Sequence, residues 1–198
     1  MSARSHRCTA LEALLLSTGV VALAEIGDKT QLLSMMLAAR YRAPVPIMIG
    51  ILGATLLNHA GAGYVGAMVG EMLDGAWMRW VVGLSFLGVG VWALFPDRIE
   101  EDTGNRITGY GAFTATLVAF FLAEIGDKTQ IATVTLAAQY EALVTVIAGT
   151  TLGMMAANVP AVLCGSALAQ SLPLRAIRFA AAAVFAVLGI AVLLGARP

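Results

Sequence analysis

Ala24-Glu25-Ile26-Gly27-Asp28-Lys29-Thr30-Gln31 occurs twice in this chain. It returns residue for residue as Ala123-Glu124-Ile125-Gly126-Asp127-Lys128-Thr129-Gln130. The offset of 99 is half of the 198 residues, which points to a duplicated unit. Each copy lies inside a long apolar stretch. Ionisable side chains are costly in such a setting, so they are read as functional positions.

Composition sets the surroundings. Hydrophobic residues make up 59% of the chain and charged residues 12%, against about 25% charged in a soluble domain. Mean hydropathy is +0.84. The expectation is an all-α integral membrane protein whose partner is the lipid bilayer. Net charge is zero and no basic run occurs, so nucleic acid is not a partner. Cys8 and Cys164 match no metal or redox spacing. Arg4 and Arg7 ahead of an apolar run ending in Ala22-Leu23-Ala24 mimic a cleaved signal. The same octapeptide follows a second apolar run in mid-chain, which argues for a spanning helix instead.

Six apolar segments can be drawn, at residues 11–39, 47–69, 77–95, 110–138, 143–168 and 174–194, each near or above the ~20 residues that a spanning helix needs. The motifs sit on the first and fourth. Residues 1–96 then form a first three-helix repeat, 97–108 an acidic linker and 109–198 a second three-helix repeat. Leu37-Ala38-Ala39 and Tyr41 match Leu136-Ala137-Ala138 and Tyr140; one insertion later, Leu52, Gly53 and Asn58 match Leu152, Gly153 and Asn158. Three spans per half is odd, so the halves enter the membrane in opposite senses. That is a 3+3 inverted-topology repeat with its site near the midplane. The motif segments exceed what a straight crossing requires, since 29 residues make a helix of roughly 43 Å at ~1.5 Å per residue. A kink or break near the midplane is expected, at Gly27 and Gly126, and it would free backbone carbonyls for ligation. Gly66-x-x-x-Gly70 and Gly149-x-x-x-Gly153 read as close helix contacts. Arginines are more numerous in the odd-numbered loops (Arg40, Arg42, Arg98, Arg106, Arg175, Arg178) than in the even loops and ends (Arg4, Arg7, Arg79, Arg197). This favours a cytoplasmic central linker and periplasmic termini.

On a continuous helix Glu25 and Asp28 share a face, as do Glu124 and Asp127. Brought together, the four form an oxygen site for a hard divalent cation such as Mg2+, Ca2+ or Mn2+; neither motif contains the Cys or His that softer metals prefer. Four carboxylates against Lys29 and Lys128 leave two negative charges, which a divalent ion neutralises. When the ion leaves, the same four carboxylates carry protons instead. Competition of metal and proton for one set of groups is the core of an antiporter, with no cofactor beyond the transported ions. Thr30, Gln31, Thr129 and Gln130 supply further oxygens. Asn58, Asn158, Ser34 and Thr133 are supporting or pathway positions, with hydrogen bonding between or within helices as the plainer account of each. A Glu25–Lys29 pair at i,i+4 is the plainer account of a single motif copy. His59 reads as a packing residue. An intramembrane enzyme would need a nucleophile–base pair or a His-Glu-x-x-His motif; none occurs, so the chain reads as no enzyme. A passive cation channel, or an exporter of a cationic amino acid on a similar scaffold, remains the alternative.

Two Glu-x-Gly-Asp-Lys/Arg-Thr/Ser motifs on the first and fourth of six spans, with an acidic linker between, resemble the Golgi calcium/manganese transporters, their chloroplast relatives and the bacterial manganese exporters. Glu25-Ile26-Gly27-Asp28-Lys29-Thr30 and Glu124-Ile125-Gly126-Asp127-Lys128-Thr129 match that pattern in full. The resemblance implies a cation/proton antiporter for Mn2+, Ca2+ or both, and carries the family's acidic residues over to Glu25, Asp28, Glu124 and Asp127. The short N-terminus and short linker look like the bacterial members, which implies Mn2+ export across a bacterial inner membrane.

Overall fold

The computed structural model describes residues 2–73, 75–96, 110–140, 142–164 and 173–195. The acidic linker at 97–108 lies outside the described residues. Eight helices and no strand are found among the described residues. They are α1 (Ser2–Glu25), α2 (Lys29–Tyr41), α3 (Pro44–Met72), α4 (Gly75–Ala93), α5 (Ala112–Glu124), α6 (Lys128–Gln139), α7 (Leu143–Cys164) and α8 (Leu174–Leu193).

Three of these, α3, α7 and α8, are long and apolar enough to cross a membrane. Residues Ala10–Glu25 of α1 and the whole of α2 meet that test together as one broken element, bent by 70°. Trp77–Ala93 and Ala112–Glu124 are apolar but shorter. The second motif also interrupts its helix, at 125–127 between α5 and α6. The breaks expected at Gly27 and Gly126 are therefore present in both copies.

The distribution of side chains is inverted relative to a soluble protein. Leu57, Tyr64, Trp77, Val91 and Val187 are exposed, while Glu25, Asp28, Glu124, Asp127 and Lys128 are buried. Apolar groups outward and charges inward is the arrangement that lipid demands.

Helices of the two halves interlock. α1 packs along α7, and α5 packs along α3. The contacts are reciprocal: Gly149 lies against Leu14 and Ser17, and Gly153 against Thr18, while Gly50 lies against Phe113 and Thr116, and Gly53 against Leu117. Leu14, Ser17 and Thr18 stand 99 positions before Phe113, Thr116 and Leu117. α4 and α8 pair with each other, with Phe86 and Phe185 meeting in the core between them.

The glycine contacts expected from the sequence are used at both sites. Gly66 and Gly70 face Val134 and Ala138 of α6, allowing the backbones to approach closely. A Cβ on Gly66 would collide with the Val134 carbonyl oxygen and Ala137, whereas one on Gly61 of the same helix would meet nothing within 4 Å. Gly66→Ala is expected to destabilise the protein by about 1–3 kcal/mol through overpacking. Gly61→Ala is expected to be neutral or stabilising by up to ~1 kcal/mol, because glycine disfavours helix interiors. Thermal unfolding of the two variants in detergent checks the difference; equal melting shifts would show that α3 and α6 are not in close contact.

Candidate metal centre

The repeated octapeptide is a code for a broken helix. α1 ends at Glu25, and Gly27 turns the chain at φ +82°; α5 ends at Glu124, and Gly126 turns it at φ +75°. That left-handed backbone favours glycine. The Asp28 N–H donates back to the Glu25 carbonyl at 3.0 Å, and the Asp127 N–H to the Glu124 carbonyl at 3.2 Å. Each aspartate then caps the next helix: Asp28 accepts from the Thr30 N–H at 3.4 Å, and Asp127 from the Thr129 N–H at 3.5 Å. Gln31 Oε1 accepts the Gly27 N–H at 2.8 Å, and Gln130 Oε1 accepts the Gly126 N–H at 2.7 Å. Asp-x-x-Gln is thus a variant of the capping box, in which the third helical residue reaches back over the first turn. This explains why the motif needs its Gln as well as its acids.

The threonines bridge the acids within each copy. Thr30 Oγ1 donates to Glu25 Oε2 at 2.6 Å, and Thr129 Oγ1 donates to Glu124 Oε2 at 3.0 Å. Both glutamates sit at helix C-termini, where unpaired carbonyls carry partial negative charge and favour a cation. Both aspartates sit at N-termini, at the positive ends of the helix dipoles.

The two copies are joined by their lysines. Lys29 Nζ lies 2.8 Å from Asp127 Oδ1, and Lys128 Nζ pairs with Asp28 Oδ1. Each lysine reaches the opposite motif, because the break points it there. One carboxylate oxygen each from Glu25, Glu124 and Asp127 can be chosen so that all lie within 4.8 Å of one another. One hard cation spans that separation with bonds of ~2.0–2.6 Å. Glu25 Oε1 and Glu124 Oε1 are buried without a hydrogen-bond partner, which leaves them available to a metal or a proton.

The supporting positions have mixed placements. Gln31 Nε2 donates to the Ala157 carbonyl at 3.1 Å and ties the first motif to α7. Asn58 Nδ2 donates to the Phe121 carbonyl at 3.2 Å, one turn before Glu124. Asn158 Nδ2 turns to Met154 of its own helix at 3.1 Å, leaving its Oδ1 buried and unpartnered. Ser34 Oγ donates to the Gln31 carbonyl at 2.7 Å, and Thr133 Oγ1 to the Thr129 carbonyl at 2.8 Å. Those two hydroxyl protons are committed within their own helices. Three buried hydroxyls passed over in the sequence, Ser17, Thr55 and Thr151, have no bonded partner. Ser17 was findable, because it stands at the repeat position of Thr116.

The centre is not symmetric. Lys29 is 25% exposed and Lys128 4%. Gly27 is covered by Leu174 at the start of α8, while the open side of Gly126 faces no atom within 4 Å.

The sequence profile described as "Divalent cation/proton antiporter GDT1" matches residues 13–101 and 112–198. A protein described as "Putative manganese exporter" from Vibrio cholerae serotype O1 is 50% identical over 182 residues, covering 91% of this chain and 90% of that one. "GDT1-like protein 5" of Arabidopsis thaliana is 24% identical over 215 residues, covering 90% and 93%. No solved structure matches. The chain belongs to the GDT1 family of divalent cation/proton antiporters, multi-pass membrane transporters rather than enzymes.

Proposed function

We propose that this protein exports Mn2+ from the cytoplasm across the bacterial inner membrane in exchange for protons, with Ca2+ as a second substrate. The observation that carries this reading is the buried trio Glu25, Glu124 and Asp127, whose oxygens converge from two broken helices. Asp28, held by Lys128, completes the set of four acids whose charge the metal or the protons balance. The choice of Mn2+ rests on the relative that is half identical and described as a manganese exporter. Six crossings follow if each broken pair counts as one: α1 with α2, α3, α4, α5 with α6, α7, and α8. The reciprocal contacts of α1 on α7 and α5 on α3 support an inverted 3+3 repeat of residues 1–96 and 109–198 about a midplane site. The arginine excess favours a cytoplasmic side for the ends of α2, α4 and α7 and a periplasmic one for the termini.

The chemistry follows from the charge set. Two lysines leave two negative charges among four acids, so one divalent ion brings the centre to neutrality. Its departure without protons would strand those charges where solvation is poor. Reconstitution tests this. Proteoliposomes holding a metal-sensitive dye and a pH dye, with voltage clamped, are given Mn2+ outside. Metal entry with proton exit is the expected result. Metal entry without any pH change would identify a channel, and no movement of Mn2+ or Ca2+ would overturn the hard-cation reading.

A further inference from the structure

We infer that Lys29 is a tethered substitute for the transported cation: its ammonium group occupies Asp127 between transport events, and the arriving metal must displace it. Lys128, by contrast, stays on Asp28 as a fixed support. The inference rests on the antiport reading and gives the two lysines different tasks.

Three observations separate them. Asp127 is both the partner of Lys29 and a member of the trio that one ion can span, whereas Asp28, the partner of Lys128, lies outside that trio. Lys29 retains 25% exposure, so its flexible four-carbon stem has room to carry the ammonium off Asp127. Lys128 is 4% exposed, and its withdrawal would pull a buried ammonium off a buried carboxylate. All three members of the trio have a buried oxygen outside any hydrogen bond, Glu25 Oε1, Glu124 Oε1 and Asp127 Oδ1, and Asp127 Oδ1 is the one with the Lys29 ammonium beside it, at 2.8 Å.

The exchange needs no change in the protonation of Lys29. The ammonium stays charged and moves, and the ion takes its place on Asp127 Oδ1. Return of the ammonium then helps expel the ion, because two positive charges a few ångströms apart repel strongly in a poorly solvated site. Without that charge the metal is held too well.

Two measurements on the full-length protein in nanodiscs test this. The first is equilibrium Mn2+ binding, followed by the electron paramagnetic resonance signal of free Mn2+. Lys29→Gln is expected to bind Mn2+ about 10-fold tighter or more and to turn over more slowly at saturating metal; Lys29→Arg restores wild-type behaviour. Unchanged or weaker binding in Lys29→Gln, or equal tightening in Lys128→Gln, would overturn the assignment. The second uses the wild-type chain and is immune to folding defects. Acylation of lysine amines is followed by mass spectrometry with and without Mn2+. Lys29 is expected to react several-fold faster with Mn2+ present while Lys128 does not change; a Lys29 rate that is constant or falls rejects displacement. Absence of Mn2+ binding in the wild type removes the transport reading and this inference together, and is distinguished from a failure of the inference alone by the wild-type titration.

Discussion

Glu25→Gln and Glu124→Gln are each expected to lower Mn2+/proton exchange by at least ~100-fold, since loss of even an outer partner of a metal ligand costs about 10–100-fold. The substitution is nearly isosteric. An amide oxygen can still accept the Thr30 or Thr129 hydroxyl that now bonds Oε2. What disappears is the charge and the unpartnered Oε1. An amide neither neutralises a divalent ion nor carries a proton, so both halves of the exchange fail together. Folding is expected to survive or improve, because a buried carboxylate without a full set of partners is itself destabilising. Flux in proteoliposomes at matched incorporation, read beside the melting temperature, separates the outcomes. A Gln variant that melts normally and keeps more than a tenth of the flux would remove that glutamate from the ion site.

Lys128→Met is expected to be the most destabilising single change in the centre, by about 3–5 kcal/mol, the usual cost of leaving one member of a buried ion pair alone. Its partner Asp28 is buried and also caps α2, so the stranded charge cannot move to water without undoing a helix start. Asp28→Asn in the same chain removes the stranded charge while keeping a capping side chain. The double variant should therefore be more stable than Lys128→Met alone by ~2 kcal/mol or more, as coupled neighbours allow. Denaturant unfolding of the wild type, both single variants and the double variant measures this coupling. Additive effects would mean that Lys128 and Asp28 are not a pair in the folded protein. Lys29→Met, at the more exposed pair, should cost less.

Much of this architecture was legible from two facts about the sequence, an octapeptide repeated at half-length and a motif segment too long for a straight crossing. Those predict duplicated units and broken helices, and the breaks fall at Gly27 and Gly126 as expected. The glycine pairs at 66/70 and 149/153 also fell at close helix contacts. The reason for the break was legible but unread: Asp-Lys-Thr-Gln is a helix-start signal, and it makes Asp28 and Asp127 caps rather than mid-helix residues. Placing Glu25 and Asp28 on one face of a continuous helix kept them neighbours for the wrong reason, since a turn now separates them. The lysine partners lay beyond any local rule. Lys29 has Glu25 four residues away and chooses Asp127 instead, because the break turns its stem toward the other half. Likewise nothing in a repeat reveals unequal exposure of its copies, which comes from neighbours such as Leu174 that cover one turn and not the other.

The interlocking of α1 with α7 has a consequence for how the chain is made. The ribosome completes α1, with Glu25 at its end, long before it completes the helix that α1 packs against. The interval is more than a hundred residues, on the order of ten seconds at ~5–20 residues per second. During that time the first motif waits in the bilayer without the surface that covers it, and Asp28 waits for Lys128. Nascent chains stalled before α7 therefore carry unshielded acids in lipid. Packing of α1 against α7 removes that exposure.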